Sequence, residues 1–199
     1  MIDIDELPGF DGEQGRLFLR YLVGCALPES VAVEIEQGGE IVETAYGSLA
    51  LAPGWLDRGL TLTEKRWVSA CIYARTNHFG VPIRISMRAD HPSAALQADD
   101  EEQQAMPLFE GGFFGNFFTP ERPAYVCTPD DSPPSDANIL RYRVCALPSA
   151  ASDNGLATSA CGFVVRGACS DAATFETPEG RYEEVIRVHL DPASGPLQE

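Results

Sequence analysis

The chain is poor in positive charge, in histidine and in long apolar runs, and each shortage excludes a class of function. Fourteen Lys and Arg stand against thirty Asp and Glu in 199 residues, a net charge of −16. A surface of that sign repels nucleic acid and anionic membranes, so neither is an expected partner. No apolar run approaches the 18 residues of a membrane span. The three histidines, at 78, 91 and 189, are too far apart for a helical metal pair, so no metal site is expected. No G-x-S-x-G, H-E-x-x-H, phosphate-binding glycine loop or G-x-G-x-x-G occurs, and no cofactor is indicated.

Cysteine is present, but without metal spacing. Cys25, Cys71, Cys127, Cys145, Cys161 and Cys169 contain no C-x-x-C and form no zinc ribbon or finger. Their even number and wide spread fit three disulfides, which implies an oxidising compartment, with free buried thiols as the competing reading. The first residues, Met1 to Glu6, are acidic and lack the apolar core of a signal peptide. An exported form would therefore be a mature chain, or would carry its leader upstream.

The strongest periodic signal lies between Leu60 and Arg88. Thr61 and Glu64 have capping-box spacing, with a start at Thr63 as the competing reading. Trp67, Ala70, Cys71, Ala74 and His78 share one helical face, while Lys65, Ser69, Tyr73 and Thr76 lie largely opposite. Gly80 and Pro82 stop this helix, and Ile83–Arg88 alternates as a strand with Ile83, Ile85 and Met87 on one side. A second helix is expected over about 12–25, opened by Asp11 and Gln14 and buried through Leu17, Phe18, Tyr21, Leu22 and Cys25, although the run also reads as a strand. Packing the two helical faces together would set Cys25 against Cys71.

The remaining segments fill in an α+β class: two packed helices, antiparallel β-strands and long loops, stapled by disulfides. Residues 1–10 read as an irregular acidic arm, 11–190 as one domain and 191–199 as a fraying tail. Val31, Val33 and Ile35 alternate before a Gly38-Gly39 turn and a return strand at 41–46. Residues 48–52 form a short apolar stretch. Residues 89–107 read as an exposed acidic loop or a poorly ordered helix, and 119–136, with five prolines, as a long loop stapled at Cys127. Strands are expected over 139–147, 162–167 and 181–190, the last burying Tyr182, Ile186, Val188 and Leu190. Among the last four cysteines the expected pairs are Cys127–Cys145 and Cys161–Cys169, with Cys127–Cys161 and Cys145–Cys169 as the alternative. RYLVGCALP at 20–28 and RYRVCALP at 141–148 look alike, but their different spacings to the next S-A-C favour coincidence over duplication.

Leu108–Thr119 holds five phenylalanines and three glycines. Its rings must be buried or meet a partner. Phe113, Phe114, Asn116, Phe117 and Phe118 are thus candidate binding residues, with core packing as the competing reading and a protein partner or self-association as the implied ligand.

YLVGCALP (21–28), GSLALAPGW (47–55), RWVSACIYARTNHFGVPIRISMR (66–88) and FEGGFFGNFF (109–118) resemble an uncharacterised family of exported proteins from predatory, gliding soil and marine bacteria. The scattered motifs span roughly residues 17–169. The resemblance implies export to the envelope or beyond, with paired cysteines, and implies no activity.

Three functions follow as expectations. The first is an exported or envelope structural or interaction domain. The second is a secreted hydrolase assembled from distant acids such as Glu110. The third is a calcium-dependent adhesion module using Asp99–Glu102 or Asp130-Asp131, neither of which has EF-hand spacing. A Cys71–His78 dyad within the helix fails, because seven positions rise about 10.5 Å. A tertiary contact of Cys71 with His91 or His189 would be needed instead, and His78 reads as a donor to the helix's last carbonyls.

Overall fold

The computed structural model describes residues 2–3, 10, 12–77, 83–129, 148–151, 157–159 and 162–192. It is an α+β protein whose described residues fall into two compact units, 1–68 with 93–95, and 69–92 with 96–199.

In the first unit, β1 (Ile2–Asp3) pairs in parallel with β2 (Ala32–Gln37), which pairs antiparallel with β3 (Glu40–Tyr46). Residues 2–3 are therefore a strand rather than part of an irregular arm. The β2–β3 turn is Gly38-Gly39, both at positive φ (61° and 81°), as a two-residue hairpin with right-handed strand twist requires. The ladder carries a bulge beside Ile35 and Glu36. Helix α1 (Glu13–Ala26) packs on β3, where Arg20 Nε lies 2.9 Å from Glu43 Oε1.

The buried stripe of α1 is Gly15, Leu19, Leu22, Val23 and Ala26. Of the expected Leu17, Phe18, Tyr21, Leu22 and Cys25 face, Leu22 and Cys25 are buried, whereas Leu17 and Phe18 are half-buried and Tyr21 is exposed, a rotation of the stripe at the helix start. The helix starts on Gly12, without a side-chain cap. Its C-terminal carbonyls are satisfied by the apolar stretch after β3. Leu49 N donates to Gly24 O (2.9 Å), Leu51 N to Cys25 O (3.1 Å) and Ala52 N to Ala26 O (2.8 Å). These would otherwise be orphan acceptors in the core, so 48–52 is buried for its backbone as much as for Leu49 and Leu51.

Helix α2 (Leu62–Ala74) opens with the expected reciprocal box: Thr61 N donates to Glu64 Oε2 (2.8 Å) and Glu64 N to Thr61 Oγ1 (3.3 Å). Arg58 adds two bonds of 2.7 Å to the same carboxylate. Trp67, Ala70, Cys71 and Ala74 are buried as expected, but so are Ser69 and Tyr73, from the face read as polar. Both residues belong to the second unit, where Ser69 Oγ accepts from Phe117 N (2.8 Å) and the Tyr73 ring meets Phe163 edge-on.

The second unit is built on a seven-stranded sheet. Its strands in chain order are β4 (Ile85–Arg88), β5 (Leu108–Gly115), β6 (Ala124–Thr128), β7 (Pro148–Ala151), β8 (Ala157–Ser159), β9 (Val164–Ala168) and, after a short β10–β11 hairpin (Glu176–Thr177 and Gly180–Arg181), β12 (Ile186–Leu190). The sheet order is β4-β12-β5-β6-β9-β8-β7, with β6–β9 its parallel pair. β12 lies inside the sheet and is shorter than the strand expected over 181–190: Ile186, Val188 and Leu190 are buried by alternation, whereas Tyr182, also buried, precedes the strand and Val185 beside Ile186 is buried too. β4 alternates the other way from its sequence reading: Ser86 is its buried residue, with Ile85 and Met87 half-exposed.

The described residues of the two segments expected as loops (89–107, with a poorly ordered helix as the alternative, and 119–129 of 119–136) carry regular structure. Within 89–107, Asp99 caps helix α3 (Asp100–Ala105), accepting from Glu102 N at 2.8 Å, and Leu96 and Met106 are buried. Within 119–136, β6 carries Cys127 into the sheet. Its partner is Cys169, with S–S 2.02 Å. That replaces the expected Cys127–Cys145 and Cys161–Cys169 pairs and their alternative. The physical reason is the parallel β6–β9 pairing, in which Thr128 faces Ala168 and brings the two cysteines together at the strand ends. Cys25 and Cys71 are also disulfide-bonded, so no described cysteine is free. Cys145, Cys161, His78, the Gly80–Pro82 helix stop, Asp130-Asp131 and the strand expected over 139–147 lie outside the described residues.

Candidate interaction site

The five candidate residues after Gly112 separate into two groups. Phe113 and Phe114, inside β5, have no exposed surface. Phe114 meets Tyr125 and Phe175 at 5.3 Å and Tyr182 at 5.6 Å, forming a core cluster with the Cys127–Cys169 bridge and Val185. Phe113 stacks edge-on against Phe163. These rings are core. Asn116, Phe117 and Phe118 come together in the turn that follows. Asn116 Oδ1 accepts from Phe118 N (3.1 Å), Thr119 Oγ1 donates to Asn116 O (3.2 Å), and the Arg122 guanidinium lies 5.2 Å over the Phe117 ring. Phe117 and Phe118 are half-buried, so this tip offers only part of two rings to solvent.

The acids and histidines are dispersed. Glu110 is buried, at the point where the β5–β12 register shifts between Val188 and His189, and it has no facing residue on β12. Tyr125 Oη donates to Glu179 Oε2 at 2.8 Å, as does Thr177 Oγ1. Burial pushes the Glu179 carboxyl up, but those hydrogen bonds and the nearby Arg166 outweigh it and hold the group below its ordinary value. Burial raises the Tyr125 hydroxyl. His189 is half-buried beside Phe109, and burial together with Arg88 lowers it to about 4. Burial also lowers His91. Among the described residues no three His, Cys, Asp or Glu side chains converge as a metal-holding group.

The second unit also carries an open cleft of about 470 Å³ between β4 and α3, lined by Arg84, Ile85, Asp99, Glu101, Glu102, Ala105 and Met106. Arg88 ties its two walls together: Nε donates to Ser86 Oγ (2.9 Å) and Nη2 to the Met106 carbonyl (2.8 Å) at the end of α3. Glu110 does not line it. Three of its seven lining residues are carboxylates and one is basic, so the cleft is acidic. The sequence does not reveal it, because a segment that reads as an exposed acidic loop or a poorly ordered helix gives no sign that it packs beside β4. The available signal was Asp99 followed three positions later by Glu102, a helix-start spacing placed directly before buried Met106.

The described part of the chain thus defines a disulfide-bonded α+β protein with an open acidic cleft at a sheet edge. No family model, curated protein or solved structure matches the chain, and no helix among the described residues is long and apolar enough to cross a membrane.

Proposed function

We propose that this protein is an exported or envelope-associated α+β module with a structural or interaction role. The observation that supports the reading is the state of its cysteines: Cys25, Cys71, Cys127 and Cys169 are all oxidised and all buried. Disulfides persist in oxidising compartments and are rare where thiols are kept reduced. A large acidic excess suits a domain that must stay dispersed outside the cell. Phe113, Phe114 and Asn116 are buried, which leaves contact with a partner to the half-buried Phe117 and Phe118 and to the acidic cleft.

Thiol trapping during isolation from the native host tests this. Alkylation at the moment of lysis, followed by denaturation without reductant, should leave Cys25, Cys71, Cys127 and Cys169 unlabelled, with the protein in the envelope or medium. Full labelling of these four, with the protein in the cell interior, would remove the reading.

A further inference from the structure

The edge of the seven-stranded sheet beside the acidic cleft has the features of a peptide-docking strand. Among the described residues β4 is the terminal strand on that side, paired only with β12 in a register without shifts. Just past its end, the Ala89 amide donates to the Leu96 carbonyl at 3.2 Å, away from β12. Backbone groups of an antiparallel strand alternate between its two sides, so the amides and carbonyls of Ile85 and Met87 point the same way as Ala89. Neither residue has a backbone hydrogen bond on that side among the described residues. An edge of this kind is a template for one more strand.

Beside it stands α3. Its N-cap and first turn present Asp99, Glu101 and Glu102 to the cleft, while Ile85, Ala105 and Met106 supply an apolar floor and Arg84 the single positive charge. We propose that the β4–α3 cleft binds an extended, cationic segment of another protein by strand addition to β4. Alternate side chains of an added strand point to opposite faces. Lysine or arginine residues on the cleft side would meet the α3 carboxylates with their aliphatic stems against Ile85 and Met106, and the residues between them would point to the opposite face. Main-chain bonds to Ile85 and Met87 supply affinity that is independent of sequence, and the acidic wall selects the partner. A second copy of this chain does not fit, because each copy carries a charge of −16 and the cleft would face like charge. This inference rests on the interaction role proposed above and names its site and the chemistry of its partner.

The test uses capped hexapeptides of alternating lysine and valine, titrated into the intact protein and followed by amide chemical shifts and calorimetry. Saturable binding with shifts centred on Ile85 and Met87 is expected. A glutamate–valine hexapeptide should not bind. The same lysine–valine peptide N-methylated at alternate amides keeps its charge but cannot pair as a strand, and should bind about tenfold more weakly or not at all. Met87→Pro, which removes an outward donor that an edge strand can spare, should weaken binding similarly. The pair Glu101→Lys and Glu102→Lys should reverse the preference toward the glutamate peptide. Equal binding of the methylated and unmethylated peptides to the unaltered protein would show bulk charge attraction and overturn the proposal, as would absence of saturable binding. Either failure leaves the cysteine state untouched, and thiol labelling judges that separately.

Discussion

Gly112 lies against Cys127 so closely that a β-carbon on the glycine would stand 2.7 Å from the cysteine Sγ, with Val185 Cγ1 at 3.1 Å and Cys169 Sγ at 3.3 Å. The glycine in β5 is what gives the Cys127–Cys169 bridge its place against the sheet. Gly112→Ala should therefore force a shift in a covalently fixed neighbour and cost about 1–3 kcal/mol, the range for overpacking a core. Denaturant unfolding of the oxidised protein measures it. Unchanged stability would mean that the bridge relaxes freely, and the account of Gly112 would be wrong.

Phe114 sits at the centre of the Tyr125, Phe175 and Tyr182 rings. Phe114→Ala should destabilise the protein by about 3–5 kcal/mol, and Phe118→Ala, at a half-buried turn position, by clearly less. If the two substitutions cost the same, the division of this segment into core and turn fails.

Much of this architecture was legible because it depends on local rules. The Thr61–Glu64 box, the Gly38-Gly39 turn and the alternation from Ile186 to Leu190 each follow from a few neighbouring residues and hold as read. What was not legible depends on distant neighbours. Ser69 and Tyr73 look like a solvated helix face until Phe117 and Phe163 are placed against them. Cys127 finds Cys169 because β6 and β9 pair in parallel, which no spacing between cysteines reveals. The candidate site follows the same pattern: Phe117 and Phe118 were visible as a segment, whereas the cleft needs β4 and α3 side by side.

Glu64 gives a pH signature. The Arg58 hydrogen bond first, with the Thr61 backbone and hydroxyl bonds, holds its carboxyl at about 2, down from 4.5. The depressed value means that this contribution to stability is present above about pH 4.5 and is lost as pH falls toward 2. Glu64→Gln should remove that part of the acid dependence and weaken the helix start by about 1 kcal/mol at neutral pH, a typical capping loss. An acid profile identical to that of the unaltered protein would refute the role of the carboxylate.

His189 acts in a neighbouring window. Burial, then Arg88, holds it at about 4 against an ordinary 6.5, while a contact with the Pro107 backbone pulls the other way. The unfolded chain therefore takes up the proton first, and stability declines as pH falls from 6.5 to about 4, then ceases to depend on this group. Part of the ring is exposed, so the decline is modest. His189→Gln should flatten the profile over that interval, and a His189 resonance titrating near 6.5 in the folded protein would contradict the assignment.

The disulfides give the most direct check on the chain path. Non-reducing peptide mapping should recover the Cys127 peptide joined to Cys169, with a sequence separation of 42. The Cys25 and Cys71 peptides, both from oxidised positions, should be recovered as one species. Replacing Cys127 and Cys169 together by alanine should cost about 4 kcal/mol in the loop-entropy model, less whatever strain the bridge carries. That loss falls on the unfolded chain, so the double variant should keep the native amide pattern of β5 and β12 while unfolding at lower denaturant. A Cys127 peptide joined to Cys145 would instead require β6 to pair with another strand, and the parallel β6–β9 ladder would have to be abandoned.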